Sequence, residues 1–265
     1  MMKNERIEWI DIAKGIGIIL MVIGHTAIGE NVSRFIYSFH MPMFFVLSGI
    51  LYNHEKYKSF RALLKARFYS LCIPYLVFTV VAFVGMRALG LVEWVELYKG
   101  WSGYALWFIP VLLMTELAYN RICHLMLRLN FATGMIFLLL LCICTGYFVS
   151  LEGVHLYYKI EVVLFAIFFF GCGHQFSDRI RRASVPIYVF FLLLTIQIFL
   201  SQRFSSVDMA DNYYGSMPIS ILVCLNGSLV VYLAAKYLSA VNKKNYILRF
   251  GEWAGRNTIT ILGLS

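Results

Sequence analysis

Eight apolar runs, each long enough to cross a bilayer, succeed one another along these 265 residues. They lie at about 9–29, 35–53, 68–88, 103–119, 132–150, 158–176, 185–201 and 217–238, where a span needs ~20 residues. Inside lipid every backbone N–H and C=O must find an internal partner, so runs of this kind fold as helices. The expected fold is therefore all-α, a polytopic membrane helix bundle of about eight full spans. A ninth run opens near Asn257 and stops at Ser265, so the expectation adds the start of a ninth span and a chain truncated at its C-terminus. Residues 1–265 are expected to form a single integral-membrane domain, because the connections are short and none has the composition of a linker. No solenoid repeat or inverted transporter repeat is visible.

Charge follows the same logic. Only 14% of the residues are charged, against about 25% in a soluble domain. The net charge of +9 suggests nucleic acid until its placement is read. With the N-terminus inside, seventeen Lys and Arg fall in cytosolic segments: Lys3, Arg6, Lys56, Lys58, Arg61, Lys65, Arg67, Arg121, Arg128, Arg179, Arg181, Arg182, Lys236, Lys243, Lys244, Arg249 and Arg256. Five fall outside, namely Arg34, Arg87, Lys99, Lys159 and Arg203. That asymmetry orients the chain, with a cytoplasmic N-terminus in the inner (plasma) membrane, and makes no use of nucleic acid. The first run is too long for a signal-peptide core and carries Asp11 and Lys14, so it reads as a permanent span. The six cysteines show no CxxC or Cys/His spacing, and no metal is expected.

Within the first run, Lys14 and His25 are eleven positions apart. At ~100° per residue they point to one face, ~16 Å apart along the axis, and Asp11 falls within about 40° of His25. Three ionisable groups on one face of an apolar span belong against protein or a wet cavity, which makes them a functional-site hypothesis. An Asp11–Lys14 pair snorkelling to the headgroups is the plain alternative for those two. It does not account for His25, which this topology places ~6 Å below the outer surface.

His40 enters the second span at a similar depth, and the short Glu30–Arg34 connection makes the two spans antiparallel neighbours. Glu161 enters the sixth span at the same outer level. Asp11, Lys14, Glu116 and His174 lie toward the inside, near the basic run of Arg61, Lys65 and Arg67. Two zones follow. The inner one is cationic and suits a phosphorylated donor; the outer one offers imidazoles suited to general-base chemistry. In FHMPMFFVLSG, Pro42 is expected to break and bend the second span, and Gly49 to let another helix approach closely. HEKYKSFRALLKAR, at 54–67, has the pattern of an interfacial helix leading into the third span. The polar loop Gln202–Ser216 reads either as a solvated loop or as a cover over an outer site.

RIEWIDIAKGIGIILMVIGH at Arg6–His25 and SFHMPMFFVLSG at Ser38–Gly49 together resemble the membrane acyltransferase type 3 family, in particular its fucose or polysaccharide O-acetyltransferase-like branch. ARFYSLCIPY at Ala66–Tyr75, ALWFIPVLL at Ala105–Leu113, FFFGCGHQF at Phe168–Phe176 and GEWAGRNTITIL at Gly251–Leu262 support it, so the resemblance covers essentially the whole chain. The family motif is a basic residue, ten residues, then a histidine, which maps onto Lys14 and His25. Lys14 stands where many members have Arg, keeping the charge but losing bidentate geometry. The resemblance implies transfer of an acyl group, usually acetyl from cytosolic acetyl-CoA, to a sugar hydroxyl.

On that resemblance His25 is the catalytic residue, and the basic residues before the third span, with Arg67 matching best, help bind the donor phosphates. The expected mechanism adds His40 or Glu161 to orient His25 as base, and sets Lys14 beside Arg61, Lys65 and Arg67 on those phosphates. The expected cosubstrate is acetyl-CoA. The expected partners are acyl-CoA, a sugar or polysaccharide acceptor, the lipid bilayer and glycan-assembly proteins. Two other classes stay open from the residues: an exporter of a glycan or lipid-linked sugar, and a scaffold for a glycan-assembly complex. Acetyl versus succinyl, and direct transfer versus an acyl-histidine intermediate, are also open.

Overall fold

The structure, a computed structural model, describes residues 7–26, 28–57, 59–94, 105–129, 132–204, 207–240 and 246–264. Lys3, Arg6, Lys58, Lys99, Lys243, Lys244 and Ser265 lie outside the described residues, as do 103–104 at the start of the fourth apolar run. The described helices are α1 (Glu8–Gly24), α2 (Glu30–Tyr37), α3 (His40–Leu51), α4 (Phe60–Arg67), α5 (Ile73–Ala88), α6 (Phe108–Arg128), α7 (Ala132–Leu151), α8 (Val163–Gln175), α9 (Ser177–Arg182), α10 (Ile187–Arg203), α11 (Met217–Ala240), α12 (Tyr246–Arg256) and α13 (Thr258–Leu264). Among the described residues there is no strand, and one isolated bridge pairs Asp208 with Tyr213.

Five helical segments among these residues are long and apolar enough to cross a membrane: Glu30–Leu51, Phe60–Ala88, Thr133–Leu151, Tyr157–Gln175 and Met217–Ala240. The protein is thus an all-helical, multi-pass membrane protein. α10 is apolar but 17 residues long. α1 has the same length and carries Glu8, Asp11 and Lys14, and α6 is interrupted by Glu116, Asn120, Arg121 and His124.

Two helix ends differ from what hydropathy suggests. The first apolar run continues to Gly29, yet α1 stops at Gly24 and His25 is its C-terminal cap. Local capping decides this. The Thr26 hydroxyl donates to the Ile23 carbonyl at 2.7 Å, and the Thr26 N–H reaches the same oxygen at 2.9 Å. End carbonyls satisfied in this way have no need of a further turn. His25 is therefore exposed at the end of α1 rather than enclosed within the helix. Glu30–Arg34, expected as a loop, is the first part of α2 instead.

Pro42 brings the expected break in the second span. It lies in the first turn of α3, and the chain turns at Ser38–Phe39, one helical turn earlier. Proline has no N–H to offer four residues back, so the Ser38 carbonyl loses its helical partner. The Cys224 thiol of α11 donates to that carbonyl at 3.2 Å. A π turn at Phe68–Cys72 plays a comparable part before Pro74, carrying α4 into α5 without ending the segment. α4 itself starts later than the sequence pattern implied, at Phe60, where the Ser59 hydroxyl accepts from the Ala62 N–H at 3.2 Å.

The chain divides into two compact units. The first, Met1–Leu47 with Arg179–Val207 and Gly215–Ile261, is built around α1, which packs most extensively on α12 and next on α11. The α1–α12 crossing is made by glycine. A Cβ on Gly15 would strike the Gly251 carbonyl, and one on Gly255 would strike the Asp11 carbonyl. Gly15 on α1 and Gly255 on α12 are thus the two positions whose missing side chains let the helix backbones touch. A buried chain of amides backs α2: Gln197 donates to the Ser38 hydroxyl at 3.0 Å, and Asn226 donates to Gln197 at 2.9 Å.

The second unit comprises Ser48–Asp178, Asp208–Tyr214 and Leu262–Ser265. Here α8 is the central helix, packed against α6 and α7. As expected, Gly49 admits a close neighbour, since a Cβ there would strike the Phe170 carbonyl of α8. The 208–214 segment is pinned by stacking of Tyr214 on Phe165 at 3.6 Å and by Asn212, which donates to the Val154 carbonyl at 3.4 Å.

Candidate functional site

In the first unit, two histidines flank one tyrosine. The Tyr37 ring lies nearly perpendicular to both, with ring centroids 6.5 Å apart for His25 and 5.1 Å apart for His40. The Tyr37 hydroxyl donates to the Gly24 carbonyl at 3.3 Å, which ties the end of α2 to the end of α1. The sequence expectation that His25 and His40 come near each other thus holds within this unit, with Tyr37 as the intermediary that the residue pattern did not single out.

The two imidazoles differ in environment. His25 is exposed, whereas His40 is 4% exposed. His40 Nδ1 lies 3.0 Å from the Ile36 carbonyl. A carbonyl only accepts, so Nδ1 carries a proton, and in the neutral form of the ring Nε2 is the nitrogen with the lone pair. The Ile36 carbonyl in this way fixes the tautomer of a neutral His40, with Nε2 as its basic nitrogen.

Toward the other end of α1, Lys14 is half-buried and Asp11 is buried. Arg256 of α12 approaches Asp11 with Nε 3.4 Å from Oδ2, and it also pairs with Glu252 at 3.2 Å. Arg256 is a missed neighbour of the Lys14 region. Its signal was the buried carboxylate at position 11, which calls for a cation.

In the second unit the polar groups gather along α6. Glu116, Asn120 and His124 are four residues apart and form one stripe. Glu116 takes Arg67 in a two-pronged pair, with Nε 2.5 Å from Oε2 and Nη2 2.8 Å from Oε1. Asn120 donates to the Tyr52 hydroxyl at 2.7 Å and to the Tyr57 carbonyl at 3.2 Å. His124 Nε2 donates to the same Tyr57 carbonyl at 2.9 Å. The guanidinium of Arg67 lies over the Tyr57 ring, 5.5 Å from its centroid. One turn along, the Tyr119 hydroxyl lies 2.8 Å from His174 Nδ1, and His54 meets the His174 ring edge-on at 5.9 Å. The stripe was legible as three polar residues at helical spacing, though only Glu116 stood out from sequence.

The remaining expected site residues are also in this unit. Arg61 and Lys65 are exposed on α4, while Arg67 is partly covered and engaged by Glu116. Glu161, buried at 4% exposure, accepts from the Leu156 N–H at 3.1 Å and lies 3.9 Å from His155 Nδ1. Those neighbours come from its own unit, in the turn that leads into α8.

A family model described as an acyltransferase domain matches residues 7–262, nearly the whole chain. No curated protein and no solved structure matches it.

Proposed function

The chain belongs to the acyltransferase 3 family, and on that premise we propose that this membrane acyltransferase moves an acetyl group from cytosolic acetyl-CoA to a hydroxyl of a cell-surface polysaccharide or lipid-linked sugar, as in the fucose/polysaccharide O-acetyltransferase-like branch. The observation that carries the reading is the His25–Tyr37–His40 arrangement at the end of the helix that bears Lys14. An exposed imidazole beside a buried, tautomer-fixed one suits proton removal from an alcohol. The proposal keeps the full set of eight spans and a cytoplasmic N-terminus, on the distribution of positive charge.

In this mechanism Arg61, Lys65, Arg67 and Lys14 hold the phosphates of the donor. His25 takes the proton of the acceptor hydroxyl, and His40, on the other side of Tyr37, is the group that orients it. The hydroxyl oxygen forms a bond to the thioester carbonyl carbon, the C–S bond breaks, and the coenzyme A thiolate leaves and takes up a proton. Lys14 acts as a point charge on phosphate, without the planar fork an arginine would supply.

The experiment is His25→Ala followed by mass spectrometry of the cell's glycans. Loss of O-acetyl groups at normal protein level is the expected result. Unchanged acetylation would remove His25 from catalysis. Glycan flux without consumption of thioester would favour an exporter instead.

A further inference from the structure

We infer that Glu116 is a positioning residue for donor binding, which holds the Arg67 guanidinium so that its remaining edge faces the phosphates of the acyl donor. The inference rests on the reading of Arg67 as a donor-binding residue and adds a residue to it.

Three observations converge. First, the pair is two-pronged and uses Nε and Nη2 of Arg67, and Nη1 has no hydrogen-bond partner among the described residues. A guanidinium has five N–H donors in a rigid fork, so fixing one edge fixes the direction of the others. Second, the two partners are unequally covered, with the Glu116 side chain 3% exposed and that of Arg67 24% exposed. The carboxylate is a buried anchor and the cation is the part that reaches outward. Third, the guanidinium lies over the Tyr57 ring, 5.5 Å from its centroid, and the Tyr57 carbonyl is held from the same α6 stripe by Asn120 and His124. One helix therefore fixes both the edge of Arg67 and the residue whose ring it lies over.

This arrangement separates two tasks. Long-range attraction of a phosphorylated donor falls to Arg61 and Lys65, which are exposed on α4 and have no such clamp among the described residues. Arg67, its charge largely balanced by Glu116, contributes direction. A side chain ordered before its ligand arrives loses less freedom on binding, and that appears as affinity.

The test uses the full chain purified in detergent, with binding of coenzyme A and of phosphate-free pantetheine measured by calorimetry. Glu116→Gln, which keeps the shape and removes the charge, is expected to weaken coenzyme A by about tenfold and to leave pantetheine unchanged. Glu116→Asp keeps the charge but retracts it, so an intermediate loss is expected, and this variant carries the same test if Glu116→Gln does not fold. Arg67→Lys keeps a cation against Glu116 without the fork and is measured alongside. If Arg67→Lys weakens coenzyme A while both Glu116 variants bind like the parent, the positioning role is overturned and the donor-binding role of Arg67 stands. If Arg67→Lys also binds like the parent, the donor reading of Arg67 falls and takes this inference with it. Equal weakening of both ligands in the Glu116 variants would show a general structural role and would likewise overturn the proposal.

Discussion

Gly255 rests directly on the backbone of Asp11, with its missing Cβ replaced by the Asp11 carbonyl. This contact sets α12 against α1 and brings Arg256, the next residue, to the Asp11 carboxylate. The obstacle is main chain on both sides, so no side chain can rotate away. Gly255→Ala and Gly15→Ala are therefore expected to push the two helices apart, with a loss of about 1–3 kcal/mol typical of overpacking. Gly251 serves as the control. Nothing lies within 4 Å of a Cβ built there, so Gly251→Ala is expected to be tolerated and to gain up to about 1 kcal/mol of helix propensity. Thermal unfolding of the three variants in one detergent checks the order.

His25 and His40 should separate into different phenotypes. His25 is exposed at a helix end, so His25→Ala is expected to leave the melting temperature near that of the parent and to lower turnover by about 100- to 10,000-fold, the range for loss of a general base. His40 is buried and spends its Nδ1 proton on Ile36. His40→Asn offers an N–H at the position of Nδ1 but has no basic nitrogen, whereas His40→Ala also strands the carbonyl. His40→Asn is expected to be the more stable of the two, and both are expected to be impaired in acyl transfer. Full activity in His40→Asn would reduce His40 to a structural part.

The helical, membrane-crossing character was legible because lipid leaves a long apolar run few other choices. Gly49 could also be read in advance, since a glycine in a span has few uses besides close approach. The end of α1 could not be read from hydropathy, because Ala27 and Ile28 continue the apolar run while Thr26 and Gly24 close the helix. The partnership of Arg67 with Glu116 was illegible for another reason. Each residue stood out alone, but they are 49 positions apart and no periodicity connects them. Asn120 and His124 were within reach of helical spacing from Glu116, yet a carboxylate in an apolar run demands a partner more strongly than an amide or an imidazole does.

Asp208 makes stability depend on pH. It lies in the segment after α10, and its Oδ1 accepts the N–H groups of Ala210 at 2.8 Å and Asp211 at 3.3 Å. Burial, and then the neighbouring Asp211 charge, push its carboxyl above the ordinary aspartate value of 3.8. The folded state therefore holds this proton more tightly than the unfolded state does. The stabilisation is complete below the ordinary value and is lost as pH rises through the folded value. Asp208→Asn keeps an acceptor oxygen and cannot ionise. Its stability relative to the parent is expected to improve as pH rises from about 4 toward neutrality, and unfolding followed across that window checks the sign.

The bend between α2 and α3 offers a test of how one lost hydrogen bond is replaced. Pro42 cannot donate to the Ser38 carbonyl, Ser38 is fully buried, and the Cys224 thiol takes the vacant role at 3.2 Å. Cys224→Val keeps an apolar group of similar size and removes the donor, so it is expected to cost about 1–3 kcal/mol as the carbonyl goes unsatisfied. Cys224→Ser supplies a stronger donor on a shorter bond and is expected to stay closer to the parent. Pro42→Ala restores a backbone N–H four residues after Ser38, the natural helical partner. In that background the thiol is redundant, so Cys224→Val should cost less than it does alone. The double-mutant cycle over positions 42 and 224 reads this directly as a coupling energy. Strict additivity would mean that the thiol packs against the bend without holding it.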